Sequence, residues 1–243
     1  MLCRALKTEL LKGRRAPVWI AFAVLPLIPA VLGTANYRAN IAILDDWWVS
    51  LWTHHTLFSA YFFLPALLGV YCAWEWRLEH SDHNFNSYLT MPVSRLNLYL
   101  AKLLPAVGVS IFTQVLVGVY FVVSGKFVGM TAAVPWAQLA NWLLCGALGS
   151  IAICAVQLFL SLWLCSFAIP VALALIGGII GLLFTSQGWG IYFPYALLSL
   201  GMRANNPDLV LELPQFILST AFYTLLFAAL IIRLLKKRDV SGE

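Results

Sequence analysis

Charge is what this chain has least of. Asp, Glu, Lys and Arg make up 10% of its 243 residues, against roughly 25% in soluble domains, while apolar residues reach 62%. Such a chain cannot coat a water-facing surface, so one or two soluble domains of this length are excluded. Between Phe127 and Met202 there is no acid, base or histidine at all. Also missing is a GxxxxGK[ST] loop, and with it that device for cradling nucleotide phosphates. The five cysteines, Cys3, Cys72, Cys145, Cys154 and Cys165, show no CxxC or comparable metal-binding spacing. Their odd number gives no closed disulfide framework, and four lie in apolar runs where Cys acts as a small hydrophobe. The net charge of +5 does not indicate nucleic acid, because the basic residues sit in short clusters beside hydrophobic runs instead of forming one face of a domain.

What is present is a series of apolar runs long enough to cross a bilayer: 18–34, 56–74, 98–123, 139–164, 169–184 and 215–232. The uncharged run 138–184 would extend roughly 70 Å as one helix, more than twice the thickness of a hydrocarbon core. It is therefore divided at an inner turn within 161–170, where Trp163 marks an interface and Pro170 starts the next helix. Residues 2–12 form an amphipathic interfacial helix, with Leu2, Ala5, Leu6 and Leu10 on one face and Arg4, Lys7, Thr8 and Lys12 on the other. Its charged lead-in is too long for a cleaved signal peptide, so the segment is expected to be retained. Pro26 and Pro29 predict a kink in the first span.

Residues 36–55 read as an outer connection in which Trp47, Trp48 and Trp52 form an interfacial belt. His54 and His55 beside Asp45 and Asp46 imitate a metal site, but neighbouring histidines point different ways on a helix. The piece 192–200 is too short to span and is expected to dip into the outer interface. With the N-terminus inside, Arg4, Lys7, Lys12, Arg14, Arg15, Arg77, Arg95, Lys102, Arg233, Lys236, Lys237 and Arg238 face the cytoplasm, leaving only Arg38, Lys126 and Arg203 outside. That positive-inside bias places both termini in the cytoplasm and requires an even number of spans.

The expected fold is thus all-α: a polytopic membrane protein forming a single transmembrane domain over 1–243, with six transmembrane helices and an N-terminal interfacial helix. The spans are expected to carry no charge at bilayer depth. This disfavours an ion-coupled carrier and an intramembrane protease, both of which accept the cost of buried ionisable groups. Gln114, Asn141 and Gln157 are the strongly polar side chains left, with interhelical hydrogen bonding or substrate contact as their roles. No catalytic constellation is visible in or near the spans, so work on a substrate has to be powered by another polypeptide.

Elimination of the other cytoplasmic surfaces leaves the polar stretch 75–102 as the place for that polypeptide to dock. Ser81 or Asp82 can cap a short helix ending before Pro92, with Phe85, Tyr88 and Leu89 on one face, and Ser94 can cap the third span. The Phe85, Tyr88 and Leu89 face either meets a partner or lies on the membrane. Glu75, Glu79 and His83 share a helical face, but two acids and one histidine make an incomplete metal site.

The series Glu79, Asn84, Phe85, Tyr88, Leu89, then Met91-Pro92-Val93-Ser94-Arg95 and Tyr99-Leu100-Ala101-Lys102, resembles the pattern of ABC-2 type permease subunits. It is most similar to the branch that protects against bacteriocins or lantibiotics. The resemblance implies a cytoplasmic coupling helix between spans two and three, within a coupling region 75–97. Glu75, Glu79, His80, Asp82, His83, Asn84, Phe85, Tyr88 and Leu89 would then seat in a separate ATPase that carries the ATP and Mg, with no cofactor on this chain. It further implies a homo- or heterodimer of permeases in a bacterial plasma membrane, acting on an amphipathic peptide or lipid-like cargo. His80 and His83 depart from the less titratable residues of that pattern. Gly177 and Gly181 form a GxxxG step in the fifth span, which suits either a permease dimer seam or packing within the chain. The competing reading is a membrane scaffold or sensor that uses the same stretch to hold a signalling protein.

Overall fold

The computed structural model describes residues 2–14, 18–41, 44, 47–80 and 93–241, with side chains to 237, and every regular element among them is helical. The interfacial helix is α1 (Leu2–Gly13). The first span consists of α2 (Val18–Val24) and α3 (Leu27–Asn40), broken by a turn at Leu25 and Pro26. Pro26 and Pro29 have no N–H to give to Phe22 and Leu25, so the kink falls where two ladder bonds are missing. The second span joins α4 (Trp47–Phe58) to α5 (Leu64–His80) through a π-helical segment, Ser59–Phe63. Then follow α6 (Arg95–Phe127), α7 (Trp136–Leu164), α8 (Ala168–Ser186), the short α9 (Pro194–Gly201) and α10 (Leu213–Ser241).

Six helices are long and apolar enough to cross a membrane: Val18–Asn40, Trp47–His80, Arg95–Phe127, Trp136–Leu164, Ala168–Ser186 and Leu213–Lys237. The fold is therefore an all-α polytopic membrane bundle. Val31, Ile111, Val119, Ile176 and Phe222 point outward, which suits a hydrocarbon surround. Ser94 caps α6 as its sequence position suggests, its hydroxyl accepting from the Asn97 amide at 3.3 Å.

The connection read at 36–55 is much shorter than expected, because α3 continues to Asn40 and α4 begins at Trp47. Only Trp47 is exposed among the three tryptophans of the supposed belt, while Trp48 and Trp52 are buried. Trp52 stacks on Trp142 with ring centroids 5.0 Å apart, and its indole donates to the Met202 carbonyl at 2.9 Å. Interior partners for both the ring and the N–H outweigh the interfacial preference of the residue type. His55 is buried as well, with Nε2 3.1 Å from the Thr34 hydroxyl. Asp45 and Asp46 lie outside the described residues.

The short helix expected to dip into the interface lies instead within the bundle. Every residue of α9 is buried, packed chiefly on α7 and α8. Backbone ending inside a membrane bundle must find its hydrogen bonds in the protein. Here Trp52 takes the Met202 carbonyl, Tyr61 donates to that of Ala204 at 3.2 Å, and Arg203 donates to those of Leu200, Gly201 and Leu209 at 2.9–3.2 Å. Close approach requires glycine. A Cβ on Gly149 would run into the Leu197 carbonyl, and one on Gly201 into that of Cys145.

Candidate functional site

At the end of the bundle where α5 stops and α6 starts, flanking residues 81–92, lies a cluster of buried ions. Lys102 sits about two turns into α6 and is fully buried, which corrects the expectation of spans free of charge. Its ammonium donates to Glu9 Oε2 at 3.1 Å, to Glu79 Oε1 at 3.0 Å and to the Glu75 backbone carbonyl at 3.3 Å, with the Trp76 ring 4.9 Å away. All three of its donors are thereby satisfied. Lys12 reaches Glu9 Oε1 at 3.0 Å and Glu79 Oε1 at 2.5 Å. The four side chains form a closed ring, Lys12–Glu9–Lys102–Glu79, in which two ammonium groups balance two carboxylates.

Local helical spacing builds each half. Glu9 and Lys12 are one turn apart on α1, and Glu75 and Glu79 are one turn apart on α5. On α1 the side turned inward carries the half-buried Leu2, Ala5 and Leu6 of the apolar stripe together with the buried Glu9 and Gly13, while Leu10 is exposed. The end of α1 is held further by the Trp19 indole, which donates to the Gly13 carbonyl at 2.7 Å. Isolated ions at such depth cost several kcal/mol each, and only mutual pairing with saturated hydrogen bonding offsets that cost. The ring therefore fastens α1, α5 and α6 into one unit. Glu75 is the acid outside it: 2% exposed, its Oε2 accepts no hydrogen bond among the described residues.

Of the residues expected to seat in a partner, Glu75 and Glu79 point into this cluster. His80 ends α5, with Nδ1 2.7 Å from the Trp76 carbonyl and Nε2 3.5 Å from the Cys165 sulfur. Asp82, His83, Asn84, Phe85, Tyr88 and Leu89 lie outside the described residues. Gly177 and Gly181 face inward against α9, where a Cβ would meet the Tyr195 ring at 2.8 Å and the Ala196 amide at 3.3 Å. Their close approach serves packing within the chain. Gln157 donates to the Tyr195 hydroxyl at 2.6 Å and Gln114 to Ser110 at 3.0 Å, both interhelical or intrahelical ties among buried groups. Sequence reasoning missed Glu9 as a site residue. Its signal was being the lone acid among the basic residues of the N-terminal helix.

Among the described residues, the side-chain ion pairs lie at one end of this membrane bundle, on the helices that flank residues 81–92. The chain belongs to the ABC-2 family of transporter proteins, whose family model matches residues 5–181 and so takes in all five residues of the ion cluster. No curated protein and no solved structure matches it. It is accordingly a membrane permease subunit of an ABC transporter, a transport component that is not itself catalytic, and the family implies an ABC ATPase as partner.

Proposed function

We propose that this permease expels an antimicrobial peptide or another amphipathic, lipid-like molecule from a bacterial plasma membrane, driven by ATP hydrolysis on a separate subunit. The segment from His80 to Leu89 docks the ATPase, with Glu75 and Glu79 buried behind it, both termini are cytoplasmic, and a second permease, identical or related, completes the assembly. One observation carries the coupling part of this reading: the Lys12–Glu9–Lys102–Glu79 ring joins the two helices flanking the segment to α1. A displacement of the segment is then delivered to three elements together instead of being absorbed by bending one of them. The peptide cargo rests on the resemblance of the 79–102 motif to the protection branch. Its support is the sequence pattern alone.

The test is co-expression with P-loop ATPases encoded beside the gene. One of them should co-purify with the permease and confer resistance to a membrane-active peptide, and a catalytically dead version should abolish that resistance while still co-purifying. If no ATPase co-purifies, the docking assignment fails. Full protection with the dead ATPase would instead establish a scaffold or sensor.

A further inference from the structure

Two apolar grooves run side by side along the C-terminal half of α6, at the end of the bundle away from the ion ring. One, of about 310 Å³, lies between α6 and α3, and the other, of about 400 Å³, between α6 and α7. Small residues leave the room: Ala30 and Ala35 in the first, Gly118 and Ala140 in the second. The exposed Val123 lines both, so a single ridge of α6 separates them. Along α3 the first groove extends from Leu27 to Arg38, roughly 16 Å of helix, which is about half of a hydrocarbon core and so the depth of one leaflet.

The mouths of the grooves lie at the membrane surface. Trp136, the first residue of α7, heads the second groove and is 64% exposed, a position in which tryptophan anchors among lipid headgroups. Arg38 heads the first groove, exposed and with no ion pair among the described residues. No acid occurs in the described lining of either groove. Lys126, next to Phe127 at the same end, is turned over the Trp48 ring at 6.0 Å, so the cation at the mouth is Arg38. The Thr34 and Tyr120 hydroxyls spend their protons on the Ala30 and Ala23 carbonyls at 2.7 and 2.8 Å. Two parallel aliphatic slots below one guanidinium complement a lipid with two chains and an anionic phosphodiester, to which the planar fork of arginine donates two hydrogen bonds. A zwitterionic lipid shares the phosphate but brings an ammonium that the guanidinium repels.

We infer that the α3–α6–α7 face holds one anionic diacyl phospholipid, its chains in the two grooves and its phosphate on Arg38. This lipid is a resident of the bundle surface and not cargo, so its test needs neither ATPase nor transport and fails or stands apart from the proposed export. The full chain in phosphatidylcholine vesicles receives trace phosphatidylglycerol with a diazirine in one acyl chain, and the photocrosslinked peptides are mapped by mass spectrometry. Labelling should concentrate on α3, the C-terminal half of α6 and the start of α7. Unlabelled phosphatidylglycerol should compete about fivefold better than phosphatidylethanolamine, and Arg38→Gln should lower the labelling about fivefold, the scale of one cation at a lipid surface. Ala35→Phe and Ala140→Phe, both at exposed positions, each fill one groove and should each reduce labelling with thermal unfolding unchanged. An effect of only one of them overturns the two-chain seat. Labelling spread evenly round the bundle, equal competition by phosphatidylethanolamine, or unchanged labelling in Arg38→Gln overturns the site and leaves bulk lipid in its place.

Discussion

The two ends of this bundle solve the same problem with different materials. Both bury polar groups in a setting without water, where an unpartnered group costs several kcal/mol. At the α5–α6 end the groups are ions on long side chains, and Glu79 Oε1 serves two lysines at once. At the α9 end they are backbone carbonyls, held by Trp52, Tyr61 and Arg203 and brought close by Gly149 and Gly201. Side-chain ions can re-pair when helices shift by an ångström or two. Backbone packed against backbone at glycines has no such slack. One end is held by ion pairs that can exchange partners, the other by close backbone contact that cannot.

The sharpest way to break this contrast is Lys102→Met. Removing Lys102 takes away the fully buried cation and leaves Glu9 and Glu79 to share Lys12, and the expected loss is about 3–5 kcal/mol, read as thermal unfolding in detergent. A loss below about 1 kcal/mol would mean the ring is not the fastening described. Next comes Gly149→Ala, where the added methyl meets a backbone carbonyl that cannot rotate away. About 2–3 kcal/mol of overpacking is expected, with the detergent-solubilised protein shifting to aggregated species in size-exclusion chromatography. Trp52→Phe leaves the Met202 carbonyl without its donor while keeping most of the ring stacking, for an expected loss of about 1–3 kcal/mol.

The smallest effect is predicted for Glu75→Gln. Lys102 donates to the Glu75 backbone and not to its carboxylate, so neutralising this acid should change stability by less than about 1 kcal/mol, in either direction. A Glu75→Gln loss as large as that of Lys102→Met would show that the ring closes through Glu75. The same pair separates stability from transport. Loss of peptide resistance in Glu75→Gln with unchanged unfolding would assign the lone acid a part in movement instead of holding.

Hydropathy made the six spans legible because each is a run of side chains that water rejects, and no other environment tolerates them. The outline failed where tertiary partners override local character. Residues 47–55, with three tryptophans and two histidines, look like an interface, yet Trp52 finds a stacking ring at Trp142 and an acceptor at Met202, far along the chain. Periodicity identified Gly177 and Gly181 as a close-approach pair but carries no information on which helix approaches. The ion ring was hidden for a related reason. Lys102 was visible in its motif and Glu79 beside the polar stretch, but Glu9 joins them across 93 positions, and no local pattern encodes that meeting. The polar stretch itself was read in most detail at residues that lie outside those described.

The ring also constrains the order in which the chain can be built. Glu9 and Lys12 leave the ribosome early, whereas Lys102 follows only after the second span and the segment beyond it. Until the third span enters the membrane, the N-terminal helix lacks its buried cation and has to wait in water or on the lipid headgroups. Final seating of the first helix is therefore a late step of biogenesis, and a nascent chain released before residue 102 would carry an unlatched N-terminus open to proteolytic quality control.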